Sequence, residues 1–167
     1  MFWRKTDYAS IPADARERLG QIVEAHLDDC DEPTQRVVTA IAGLLARIAY
    51  ADGQYRAEEE QHIREELGRI EGLRAAGVDA ICELLSDEIA HIALLGDHDW
   101  TRDLCELTTR ELRLEVLDVL VELAVADHAL SQDEVTQLRR ITKALNLVQA
   151  DYNAIQAKHR DKITSLR

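Results

Sequence analysis

An internal repeat constrains the fold of this chain more than any other feature of its sequence. Residues 48–52 read Ile-Ala-Tyr-Ala-Asp, and residues 123–127, 75 positions further along, read Leu-Ala-Val-Ala-Asp. At the same spacing Glu59 aligns with Glu134. Each copy therefore predicts an apolar helix, a turn led by an aspartate, and an amphipathic helix with a glutamate in its first turn. Since neither copy can bury its apolar surface alone, we expect the two to pack together with a pseudo-two-fold relation.

The rest of the chain has the spacing and composition of helices. Only seven of its 167 residues are glycine and two are proline, the residues that most disfavour helix interiors. Apolar residues recur at helical spacing in segments with the approximate bounds 13–29, 33–51, 57–70, 78–95, 101–107, 108–126, 131–146 and 150–164. We predict an all-α protein, a compact bundle of about seven or eight helices.

The domain organisation follows from the repeat. Residues 1–167 are predicted to form a single helical domain made of two pseudo-symmetric units. The first unit covers about 33–95 and the second about 108–165, and a helix at about 13–29 precedes them. The segment 33–51 is apolar nearly all round, which predicts a helix in the middle of the bundle.

Capping residues mark two of the predicted helix starts. Ser131 followed by Glu134 is a capping box, in which each side chain bonds the backbone N–H of the other. Thr108 or Thr109 can start the preceding helix, and Glu111 completes a second capping box with Thr108.

Charge and composition exclude several classes of partner. The net charge of −12 repels phosphate backbones and anionic membranes, so no nucleic-acid binding is expected. Partner proteins or a divalent cation are better suited to a surface with this negative charge. The longest uncharged apolar run, residues 37–46, is too short to span a bilayer, so no direct membrane insertion is expected. Three cysteines, an odd number, favour a reducing compartment and thus a cytoplasmic location. The oligomeric state is left open.

The two copies of the motif resemble a known family. Residues 48–53, Ile-Ala-Tyr-Ala-Asp-Gly, with Glu59, and residues 123–127 with Glu134, are similar to the duplicated motif of the TerB family of tellurite-resistance-associated proteins. The resemblance covers roughly residues 37–155. It implies a helical bundle, an association with resistance to tellurite and other stresses, a cytoplasmic or partner-tethered location, and no established enzymatic activity.

The resemblance also implies a divalent-cation site at the acidic loops. Carried over position by position, the family's acidic residues are Asp52, Glu59, Asp127 and Glu134. One departure concerns His128, which stands where the motif usually has glycine. The second turn is then either shaped differently or offers a nitrogen ligand.

The spacing of the acidic residues leaves two interpretations open. Because seven positions separate the aspartate from the glutamate in each copy, both carboxylates can converge near a helix start, and the pseudo-two-fold can join all four. Such a set suits Ca²⁺, Mg²⁺ or Mn²⁺, and a contribution from His128 would favour Zn²⁺ or Mn²⁺. Alternatively, the acids only cap turns and helix dipoles, and the protein is a metal-free interaction module with an acidic surface.

A third alternative is a ferritin-like di-metal carboxylate protein. Two Glu-x-x-His steps, Glu59 to His62 and Glu88 to His91, place pairs of ligands on single helix faces. That alternative requires all four side chains to converge.

No catalytic or cofactor-binding residues are predicted. The sequence has neither a Gly-x-Ser-x-Gly elbow nor a glycine-rich phosphate loop. The leading hypothesis is a non-enzymatic cytoplasmic stress-response domain that binds a divalent cation at its acidic loops and docks other proteins.

Overall fold

Eight helices follow one another in the computed structural model, which describes residues 10–94, 97–126 and 130–160. In chain order they are α1 (Ser10–His26), α2 (Glu32–Ala49), α3 (Ala57–Gly68), α4 (Ala75–Leu94), α5 (Asp97–Leu107), α6 (Arg110–Val125), α7 (Gln132–Ala144) and α8 (Gln149–Lys158). Within the described ranges no strand occurs, and the only β contact is an isolated bridge between Leu27 and Leu73. The predicted all-α bundle is confirmed.

The central position predicted for the apolar helix at 33–51 is observed for α2. Asp31 starts this helix by accepting a hydrogen bond from the backbone N–H of Thr34 at 2.8 Å. Ten of its residues are buried, and it packs against α1, α4, α5 and α6. A helix that is apolar nearly all round is stable only where other helices cover every side of it.

The helices of the two repeats pack against one another. α6 is the second apolar helix, and it contacts α2 directly. The amphipathic helices that follow, α3 and α7, each contact both α2 and α6. Each copy thus buries apolar surface that it cannot bury alone. The division into units at 33–95 and 108–165 stays a prediction.

The helix boundaries confirm one predicted capping box and correct the other. Ser131 starts α7, with its Oγ accepting from the N–H of Glu134 at 3.1 Å. The N-cap of α6 is Thr109, whose Oγ1 accepts a hydrogen bond from the N–H of Leu112 at 3.3 Å. The predicted box between Thr108 and Glu111 was therefore wrong, because the Thr108 hydroxyl instead donates to a carbonyl in the last turn of α5.

Two further features bear on the environment of the protein. No helix among the described residues has the length and apolar character needed to cross a membrane. Cys30, Cys82 and Cys105 are free thiols, of which Cys82 is buried and the other two are half-buried.

Candidate metal centre

Asp52 lies in the turn between α2 and α3, where the sequence places the first acidic loop. Its Oδ1 accepts a hydrogen bond from the backbone N–H of Gln54 at 3.0 Å, the local bond typical of aspartate in turns. Its Oδ2 accepts from Nη1 of Arg56 at 2.9 Å. Gly53 follows with a φ of +80°, a left-handed conformation that glycine adopts without steric cost.

Glu59 caps the N-terminus of α3 from within the first turn of that helix. Its Oε2 accepts from the backbone N–H of Arg56 at 2.8 Å, and its Oε1 lies 3.5 Å from Nη1 of the same arginine. The residue is only 4% exposed. A carboxylate held this deeply is stabilised by the positive end of the helix dipole and by the guanidinium beside it.

Glu134 occupies the equivalent place in the second copy. Its Oε1 accepts from the backbone N–H of Ser131 at 3.3 Å, and the residue is 3% exposed. The remaining predicted ligands of this copy, Asp127 and His128, lie outside the described residues.

Arg56, which was not predicted from the sequence, pairs with the acids of the first helix start and lies within the electrostatic influence of the second. The hydrogen bond and charge of Asp52 raise the pKa of its guanidinium most, and the charges of Glu59 and Glu134 raise it further. Carboxylates from both copies therefore act on one cationic side chain, and the pseudo-two-fold relation between the copies stays a prediction. The signal was present in the repeat, because Arg56 stands where the second copy has the capping residue Ser131.

A second group of possible ligands lies further along α3. His62 and Glu66 on α3 and Glu122 on α6 each offer a ligand atom, and these atoms lie within 4.8 Å of one another. Among the described residues this is the only group of three or more histidine, cysteine or acidic side chains so arranged. Burial raises the pKa of the Glu66 carboxyl, with Arg69 opposing that rise and Glu122 adding to it.

The four residues of the ferritin-like alternative do not form such a group. Glu88 lies on α4, where its Oε2 is 2.6 Å from Nδ1 of His91 and its Oε1 is 3.3 Å from Nη1 of Arg18. Glu59 caps the start of α3 instead. Within the described part of the chain, the two Glu-x-x-His steps belong to different environments, and the convergence of four side chains that this alternative requires does not occur.

The fold and the paired acidic helix starts define a class of protein, namely all-helical bundles with a duplicated acidic motif. A family model described as "Tellurite resistance protein TerB" matches residues 38–157, more than half of the 167-residue chain. The chain belongs to the TerB family, and the resemblance seen in the sequence is confirmed. No curated protein and no solved structure gives a significant match.

Proposed function

We propose that this TerB-family chain is a non-enzymatic, cytoplasmic stress-response domain that binds a divalent cation at its acidic inter-helix loops and docks partner proteins. The observation that carries the proposal is the position of Glu59 and Glu134, two buried carboxylates at the starts of α3 and α7. These residues come from different copies of the motif, are both almost fully buried, and both act on the guanidinium of Arg56.

The acidic side chains that act on Arg56 favour the binding of a divalent cation. The negative charges of Asp52, Glu59 and Glu134, which come from both copies of the motif, all raise the pKa of the Arg56 guanidinium. Carboxylates that approach one another repel unless positive charge holds them. The oxygen-only donor set of these residues fits Ca²⁺ or Mg²⁺ best. Arg56 is long and 37% exposed, so its guanidinium can withdraw to solvent when a metal ion enters.

The proposed docking function is supported by the charge of the whole chain. A net charge of −12 attracts basic surfaces over several ångströms and speeds their association at low ionic strength. Cation binding at the acidic loops would reduce this charge locally, and it thereby links the two parts of the proposal.

A thermal melt of the chelator-treated chain, with and without Ca²⁺, Mg²⁺, Mn²⁺ or Zn²⁺, tests the cation site. A cation present at about 100 times its dissociation constant adds about 2.7 kcal/mol of stability, which is easily seen. We expect the rise with Ca²⁺ or Mg²⁺ to disappear in Asp52→Asn, Asp127→Asn and Glu134→Gln. Asp133→Asn is the matched control, because Asp133 is exposed beside Glu134 in the same helical turn.

The second candidate is the metal-free interaction module. It is favoured by the bonds already made, since Asp52 accepts from Gln54 and Arg56, and Glu59 and Glu134 accept from backbone N–H groups. If no cation shifts the melting temperature, these acids are caps, and the acidic surface acts on basic partners alone.

A further inference from the structure

The group formed by His62, Glu66 and Glu122 lies apart from the capping bonds of the acidic loops. His62 and Glu66 are four positions apart on α3, so they share one face of that helix. Glu122 reaches them from α6, which packs against α3. Two helices therefore fix three ligand atoms within 4.8 Å of one another.

The imidazole of His62 is the distinctive member of this group. Its Nε2 is buried and has no hydrogen-bond partner among the described residues. The nearest oxygen of Glu66, Oε1, lies 3.9 Å away, which is too far for a hydrogen bond. A buried ring nitrogen without a partner costs free energy, and it points to a ligand that accepts its lone pair.

We propose that His62, Glu66 and Glu122 bind a divalent transition-metal ion, with Zn²⁺ the best fit. One imidazole nitrogen and two carboxylate oxygens are a donor set that zinc uses in proteins, whereas Ca²⁺ and Mg²⁺ prefer oxygen alone. Ligand atoms about 2.1 Å from a tetrahedral metal lie about 3.4 Å apart, so small side-chain rotations bring this group together. Three protein ligands leave one position for water or for a side chain of a docked partner.

The positive charge of Arg69 lies beside Glu66, one of the three proposed ligands. Its Nη1 lies 2.8 Å from Oε1 of Glu66, and its side chain is 68% exposed while that of Glu66 is 6% exposed. The guanidinium thus neutralises Glu66 but is free to swing into solvent. It competes with a metal for Glu66, but a metal would also satisfy Nε2 of His62, which has no hydrogen-bond partner among the described residues.

Calorimetric titration of the chelator-treated chain with Zn²⁺, with Co²⁺ absorption as a second readout, tests this site. We expect His62→Gln and Glu122→Gln each to weaken Zn²⁺ binding at least about tenfold, the lower end of the losses known even for residues that only support ligands. Glu65→Gln is the matched control and should bind as the unaltered chain does, because Glu65 is exposed on the same helix and bonds Gln61. Arg69→Gln should bind Zn²⁺ more tightly, since it removes the competing charge.

The results separate this site from the acidic loops. A Ca²⁺ or Mg²⁺ response lost in Asp52→Asn and kept in His62→Gln belongs to the loops, whereas a Zn²⁺ response with the opposite pattern belongs to His62. The inference is overturned if His62→Gln and Glu122→Gln bind Zn²⁺ as the unaltered chain does, whatever the loops do with Ca²⁺.

Discussion

The indole ring of Trp100 lies directly against the α-carbon of Gly43. A methyl group built on Gly43 would come within 2.4 to 2.6 Å of three atoms of the ring. Trp100 is 2% exposed, so the ring has no solvent to move into. The close contact of α5 with α2 therefore depends on the absence of a side chain at position 43, and Arg36 reinforces it by pairing with Asp103 of α5 at 2.5 Å.

We expect Gly43→Ala to destabilise the protein by about 1–3 kcal/mol, the usual cost of forcing extra volume into a packed core. Urea unfolding followed by circular dichroism measures the change. Gly68→Ala is the control, because nothing lies within 4 Å of a methyl group there, and alanine favours a helix by up to about 1 kcal/mol. Equal midpoints for Gly43→Ala and the unaltered chain would contradict the packing described here.

Replacing Arg56 with glutamine should lower the stability of the cation-free protein and increase the stabilisation that a cation provides. In chelator the variant should melt at a lower temperature, because Asp52, Glu59 and Glu134 lose their common positive neighbour. This loss should shrink at high salt, which screens a partly exposed charge. With Ca²⁺ added, the variant should gain more stability than the unaltered chain does.

Arg74→Gln is the control for that experiment. Arg74 pairs with Asp28 on the surface, where both side chains are more than half exposed, so its loss should change little. An Arg56→Gln variant that behaves like Arg74→Gln in chelator would exclude Arg56 as the counter-ion of the acidic helix starts.

Asp118 should make the stability of the C-terminal helix depend on acid pH. Partial burial raises its pKa, but the hydrogen bonds from Lys158 at 2.7 Å and His159 at 2.5 Å outweigh this and hold the pKa below its ordinary value. The stabilisation is therefore complete above the unfolded-state pKa of about 4 and is lost as the pH falls through the lower folded-state value. Asp118→Asn should cost roughly 1 kcal/mol near pH 7. In unfolding curves taken across the acid range, the gap between the two proteins should close below about pH 4, and a constant gap would contradict the mechanism.

The start of α6 offers a direct test of the corrected cap. Thr109→Ala should destabilise the protein by about 1 kcal/mol, because Oγ1 of Thr109 caps the N–H of Leu112. Thr108→Ala should cost less, since the Thr108 hydroxyl donates to the carbonyl of Leu104, which lies within helix α5. Denaturant midpoints for the two variants decide which threonine is the cap, and the reverse order would restore the prediction made from sequence.

The adjacent residues Thr108 and Thr109 show the limit of prediction from local sequence patterns. Both carry a hydroxyl suited to a cap, and Glu111 favoured the first on spacing alone. In the structure the Thr108 hydroxyl donates a hydrogen bond to a carbonyl in the last turn of α5, which leaves Thr109 as the cap of α6. By contrast, Ser131 and Glu134 exchange both bonds of their capping box, as their spacing predicted.

What the sequence determined by itself is the part of the molecule governed by short spacings. Helical periodicity identified the buried faces of α2 and α6, and the repeat of the Asp and Glu positions indicated the TerB family that the family model confirms. These features depend on residues a few positions apart, whose geometry in a helix is fixed.

Only the tertiary structure decided which side chains from distant segments meet. Arg56 acts on Glu134 of the other copy, and Glu122 of α6 joins His62 and Glu66 of α3. No local spacing predicts these relationships, because they depend on how α3 packs against α6 and on where the start of α7 lies relative to the start of α3. Side-chain packing across the whole core sets the relative positions of these helices. The second candidate metal site is therefore a product of the tertiary structure alone.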